Sequence, residues 1–143
     1  MGDGGRYMKY VVIGVLVLGL GLVAWRNFGP SYKSNGSVQI VVPQQLSAAA
    51  SLGKVAFDNS CADCHGVNAI GTDTGPPLIH DYYNPGHHGD GAFYTAVANG
   101  VRQHHWQFGN MEPLPQVTQD QTRMIIAYIR EMQVANGIRY KPH

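Results

Sequence analysis

Cys61, Cys64 and His65 are the residues of this chain whose types and spacing could do chemistry. They form the run Cys61-Ala62-Asp63-Cys64-His65, and C-x-x-C-H is the attachment pattern of c-type haem. The spacing has a physical reason. Two thiols three positions apart sit on adjacent turns at a helix end, so both can add to the two vinyl groups of one porphyrin. The next residue, His65, then presents an imidazole nitrogen to the iron from the same side. Two other chemistries use such a pair. A redox disulfide expects a preceding strand and a βαβ context, whereas this pair follows a helical stretch. A zinc site wants four ligands and usually a second cysteine pair, and the chain has only Cys 2. One covalent haem c is the expected cofactor, with His65 as an iron ligand.

Three helices must position this motif. The first is expected over 47–60, SAAASLGKVAFDNS, with Ser47 as its N-cap. The second is short, over 91–99, with Asp90 as its cap and Asn99-Gly100 ending it. The third runs over 119–135, where Thr118 and Gln121 make a capping box. Ile125, Ile129 and Met132 line one face of it, with Thr122 and Tyr128 beside them, and Gly137 stands where a C′ glycine would. No strong strand alternation appears in this region. The stretch 66–90 is irregular and too long to be ordinary in so small a domain, so an organiser other than protein is expected there.

Composition bounds the rest. The chain has 143 residues, and Lys+Arg 10 against Asp+Glu 9 gives +1, which excludes a general polyanion binder such as a nucleic-acid protein. Charged residues are 13 %, about half the usual share, and Gly 18 signals many tight loops. The apolar residues are unevenly spread. Tyr10 to Trp25 reads YVVIGVLVLGLGLVAW, with no charge and aromatics at its ends. As helix it spans about 24 Å, slightly short of a hydrocarbon layer of about 30 Å. Lys9 and Arg26 can snorkel outward, and Tyr10 and Trp25 suit the interface belt. The expected organisation is a short tail over 1–9, a transmembrane anchor over 10–26, a linker over 27–45 and a haem domain over 46–143. A cleaved signal peptide is the rival reading of the apolar block, but no A-x-A site follows it. Within the linker, Val38, Ile40 and Val42 alternate, which allows a short extended stretch packed on the domain.

The domain resembles the class I cytochromes c over about 50–135. Gly53 and Phe57 stand eight and four residues before Cys61, as in that family. Gly75-Pro76-Pro77-Leu78 is similar to the family's Gly-Pro-x-Leu, and Ile125-Ile126-Ala127-Tyr128-Ile129 looks like its last helix. The resemblance implies an all-α cytochrome c fold, three or more helices around one covalent haem, with first and last helices crossing where Gly53 faces Tyr128. It points to Met111 as the sixth iron ligand. It implies that the Pro76 carbonyl accepts the other ring N–H of His65, and that Leu78 walls the haem. The residues around Met111 suit the role. It lies in a loop fixed by Pro113 and Pro115, with no periodic partner, whereas Met124 and Met132 fit helix packing. The rival ligands are histidines in loops: His80, His87, His88, His104 and His105. Trp106, Tyr94 and Arg102 could reach haem propionates, but core or surface positions account for them better, and they are not taken as site residues.

An iron with both axial positions filled by His65 and Met111 has no place for substrate. It changes oxidation state without bond chemistry, so the chain is expected to be an electron carrier and not an enzyme. Methionine ligation raises the potential relative to histidine, which suits donation to a high-potential acceptor such as a terminal oxidase. The family implies haem attachment on the outer side of the bacterial inner membrane. The expected setting is therefore a single-pass inner-membrane protein of a respiratory chain, its haem domain periplasmic, with donor and acceptor proteins as partners. Two alternatives stay open: a cytochrome subunit of a dehydrogenase or oxidase complex, and a haem sensor in which Met111 is labile.

Overall fold

A computed structural model describes residues 8–15, 17–19, 21 and 39–142. The chain divides into two compact units, Met1–Ser37 and Val38–His143. In the first unit the described residues are helical, and their apolar side chains, among them Val11, Ile13 and Leu18, are exposed. Among the described residues no helix is long and apolar enough to cross a membrane, and the rest of the expected 10–26 anchor lies outside them.

The second unit is built on two helices. The first, α1, is Ala48–Ser60. Three alanines open it, and Ser47 Oγ accepts from the Ala50 amide at 3.1 Å, satisfying one of the free N–H groups of the first turn. Ala50, Gly53 and Phe57 recur at helical spacing and are its buried face. One further turn, α2, follows at Ala62–His65. The short α3 is Asp90–Asn99, and the long α4 is Gln119–Ala135. The Thr118 capping box is closed on both sides: Thr118 Oγ1 accepts from the Gln121 amide, and Gln121 Oε1 accepts from the Thr118 amide at 2.9 Å. Its buried face carries Thr122, Ile125, Ile126, Tyr128, Ile129, Met132 and Gln133.

The core lies where α1 crosses α4. Gly53 makes the close approach possible, because a Cβ there would fall onto the Met124 carbonyl. The partner of the Tyr128 ring is Phe57, with centroids 5.6 Å apart and planes tilted by 55°. So Gly53 meets backbone one helical turn before Tyr128, and the aromatic contact falls one turn further along α1. Ala50, Ile125, Ile129 and Met132 complete the same cluster. Phe93 and Val97 of α3 pack against it from outside.

Two expectations differ from the structure. The N-cap of α3 is Gly89, and Asp90 is already in the first turn, where its carboxylate complements the helix dipole and accepts from Arg130 Nε at 2.9 Å. The expected linker reaches too far. Val41 donates to Asn136 Oδ1 at 2.7 Å and accepts from Asn136 Nδ2 at 2.8 Å, while Ile40 packs on the core, so 39–42 lie against the domain. The 66–90 stretch is held in part by protein. It contains 3-10 turns at Val67–Ala69 and Asp81–Tyr83. Gln133 Nε2 donates to the Leu78 and Tyr83 carbonyls, both at 3.0 Å, and Arg130 Nη2 donates to the His88 carbonyl at 2.6 Å. Polar side chains of α4 thus contribute to holding this stretch. Among the described residues there is no strand, only an isolated antiparallel bridge between Val101 and Met111.

Two predictions follow from this packing. Gly53→Val puts three extra carbons beneath a backbone carbonyl. Overpacking of this kind costs about 1–3 kcal/mol, and thermal denaturation should show a fall in Tm of roughly 5–20 °C. The second concerns alkaline pH. Burial, with the Asp58 carboxylate adding to it, pushes Tyr128 from 10.0 up to about 12. The folded state therefore keeps a proton that the unfolded state gives up in this range. The stability it contributes is complete below pH about 10 and is lost as pH rises towards about 12. Urea titrations at stepped pH should show a shallower alkaline decline in Tyr128→Phe than in the parent.

Candidate functional site

The end of α1 runs directly into the cysteine pair. Cys61 N donates back to the Phe57 carbonyl at 2.8 Å, and His65 N donates to the Cys61 carbonyl at 2.9 Å. One continuous turn therefore carries Cys61, Cys64 and His65. Both thiols are free; Cys61 is half-buried against the core and Cys64 is exposed. Burial, helped by the neighbouring Cys64, pushes the Cys61 thiol from 9.0 up to about 11, so it is a neutral thiol at physiological pH.

Gly66 ends the turn with φ 76 and ψ 157, a conformation that essentially only glycine adopts. The chain then folds back over Cys64. Thr72 Oγ1 donates to the Cys64 carbonyl, and a Cβ on Gly75 would strike the same backbone. This fold-back brings Pro76 to His65. His65 Nδ1 lies 2.8 Å from the Pro76 carbonyl oxygen, the pairing that the resemblance implies. A carbonyl only accepts, so Nδ1 carries the proton and Nε2 keeps its lone pair. Burial lowers the His65 pKa and the Pro76 bond partly opposes it, which leaves a neutral imidazole with a fixed tautomer. Leu78 follows on the same loop. Its amide donates to the Ala69 carbonyl at 2.9 Å, and its side chain packs half-buried on the core.

Met111 stands on a different segment. Its amide and carbonyl pair with Val101, both at 2.9 Å, and its side chain is half-buried. Gly100 beside it has φ 73 and ψ −176, again glycine-only backbone, and a Cβ there would run into the Met111 carbonyl. Leu114 N donates to the Val97 carbonyl at 2.8 Å, which ties the loop to α3. The structure thus brings Cys61, Cys64, His65 and Pro76 into one turn-and-loop unit, adds Leu78 on its flank, and anchors Met111 separately.

The five loop histidines form a cluster that sequence reading did not foresee. His80 packs edge-on to Tyr82 and Trp106, and His87, His88, His104 and His105 lie ring to ring. Burial and the neighbouring imidazoles lower the His88 and His105 pKa values. The one hint in the sequence is the pair of His-His steps, 87–88 and 104–105, but nothing local says that they meet. Arg102 is exposed and Tyr94 half-buried. Trp106 Nε1 is buried without a partner in hydrogen-bonding geometry, and burial raises the pKa of the nearby Tyr83, which Trp106 partly opposes.

These residues suit a covalently held haem. Two free thiols on one turn and an adjacent imidazole with its outer nitrogen unprotonated are the donor set such a ligand needs. No match was found among curated proteins or among solved structures. Over residues 50–133, more than half of its length, the chain matches the family model of cytochrome c, and it belongs to that family.

Proposed function

We propose that the chain is a membrane-anchored electron carrier with a single haem of the class I type, working between respiratory partners at the periplasmic face of a bacterial inner membrane. The observation that carries this reading is the His65 ring, whose bond to Pro76 leaves Nε2 as a ligand on the turn that bears both thiols. Each thiol, Cys61 and Cys64, would add across one vinyl group, the sulfur bonding to one carbon and the proton going to the other. Once bound, haem supplies an iron that takes up and gives back one electron. His65 Nε2 and the Met111 sulfur would be the side-chain ligands that hold it. With both places taken by side chains, substrate and water are kept off the metal. The soft thioether favours the ferrous state and sets the potential above that of a bis-histidine site. Pro76 fixes the imidazole plane, and Leu78 keeps the haem face dry.

The uncharged run from Tyr10 to Trp25 supports the anchor. An anchor confines the carrier to two dimensions and raises its concentration near membrane complexes. Attachment of haem outside the inner membrane, the family's habit, supports the periplasmic placement. The haem domain carries Lys/Arg 6 and Asp/Glu 8, so its partners would not dock on a ring of lysines.

Three measurements test this reading. Met111→Ala should open the iron, so that the reduced protein binds carbon monoxide within seconds while the parent does not. Met111→His should keep six ligands and lower the midpoint potential clearly. An unchanged spectrum in Met111→Ala would remove Met111 from the iron. For the anchor, carbonate-washed membranes should retain the full chain, whereas a chain beginning at Val38 and exported to the periplasm should be released and still red. A native protein recovered shortened and free of membranes would show a cleaved leader instead.

A further inference from the structure

The histidine cluster places three nitrogens together. One ring nitrogen each from His87, His88 and His105 lies within 4.8 Å of the others, and the Nε2 atoms of His87 and His105 are 3.1 Å apart. Two nitrogens bound tetrahedrally at about 2.0–2.1 Å from one ion are separated by about 3.3 Å. The observed spacing is close to that of a ligand pair on a common ion, and the third nitrogen lies within 4.8 Å of both. We propose that His87, His88 and His105 form a binding site for one divalent first-row transition ion, zinc or copper(II), and that this site takes no part in holding haem.

The chemistry of the set favours this class of ion. Imidazole nitrogens suit zinc, copper, nickel and iron, whereas calcium and magnesium want oxygen. For a given set of nitrogen donors copper(II) binds more tightly than zinc. Three imidazoles leave a tetrahedral ion one position for water or for a partner's side chain. His87 and His105, though not His88, also line a surface cavity of about 260 Å³ with Asp81, Tyr82, Asn84, Lys141 and Pro142.

The ligands are also held before any ion arrives. His88 Nδ1 donates to the Tyr82 carbonyl at 2.6 Å, which leaves Nε2 as its lone-pair nitrogen. Arg130 Nη2 grips the His88 backbone at 2.6 Å. Asn84 is buried, and its Oδ1 accepts from the Gly86 amide at 2.9 Å and the His87 amide at 3.2 Å, so the turn that presents His87 is fixed. The His105 ring stacks on Tyr82 at 4.5 Å with planes 23° apart. A ligand's orientation set by its outer partners is the usual mark of a metal site. A hydrogen bond between His87 and His105 accounts for their contact alone. It gives no reason for His88 to converge on the same point. His104 lies close by, 4.4 Å from the His105 ring, but its nitrogen is not in the triad, and its Nδ1 donates to the Arg102 carbonyl at 2.8 Å.

The test uses the full haem-loaded chain, purified without a histidine tag and stripped with a chelator. Titration calorimetry with zinc chloride should show one saturable site per chain, and copper(II) should displace the zinc. X-ray absorption at the zinc edge should count three imidazoles. His87→Gln, His88→Gln and His105→Gln should each weaken zinc binding by about tenfold or more, with the haem spectrum unchanged. His104→Gln should stay within about threefold of the parent. Binding without saturation, fewer than three imidazoles at the zinc, or full affinity in the His87→Gln/His105→Gln double variant would overturn the proposal. So would a haem spectrum altered by these substitutions, since that would put a histidine on the iron. The haem spectrum and the zinc titration are separate readouts, so failure of the electron-carrier reading would leave this one intact.

Discussion

The contact between Gly53 and the Met124 carbonyl is the constraint on which the rest of the domain depends. Only a residue without Cβ lets the α1 and α4 backbones come this close. The approach then sets Phe57 against Tyr128 and closes the core around them. Both consequences reach the site. The carboxyl end of α1 delivers Cys61, Cys64 and His65 in one turn, so the orientation of the helix is the orientation of the thiols. The opposite side of the crossing matters equally. Arg130 and Gln133 of α4 hold the carbonyls of Leu78, Tyr83 and His88, so the loops that flank the site hang from the same helix.

This arrangement explains how so small a core supports long loops. Loops carry unpaired carbonyls that cost stability when buried without partners. Here two long polar side chains on one helix face satisfy several of them at once. Arg130 also covers the Phe93 ring, 5.1 Å from its centroid, so its charge sits over an aromatic face as well as beside Asp90. The same residue therefore joins α3, the 80s loop and α4, which rigidifies the surface on which the histidines lie.

How far this was legible in the sequence depended on distance along the chain. The boundaries of α4 and its capping box were plain, because Thr118 and Gln121 are three residues apart and the apolar period is local. The cysteine motif was plain for the same reason. Asp90 misled, since an acidic residue serves equally as a cap or in a first turn, and only the backbone of Gly89 decides between them. The edge of the domain was hidden because Asn136 binds Val41 across 95 residues. The loop fold was hidden because side chains that help to hold it lie on α4, some 40 to 55 residues away in sequence. The histidine cluster was invisible for the same reason: 18 residues separate His87 from His105.

The two candidate axial ligands are held by different means, and the difference bears on electron transfer. His65 is fixed at its side chain, where the Pro76 bond sets both tautomer and ring direction. A thioether offers no such handle, since sulfur makes only weak hydrogen bonds. Met111 is instead fixed through its backbone, paired on both sides with Val101 and flanked by a Gly100 conformation that other residues resist. A site that must change charge without changing shape needs both ligands restrained. A restraint placed in the backbone does that for a side chain that has nothing else to hold.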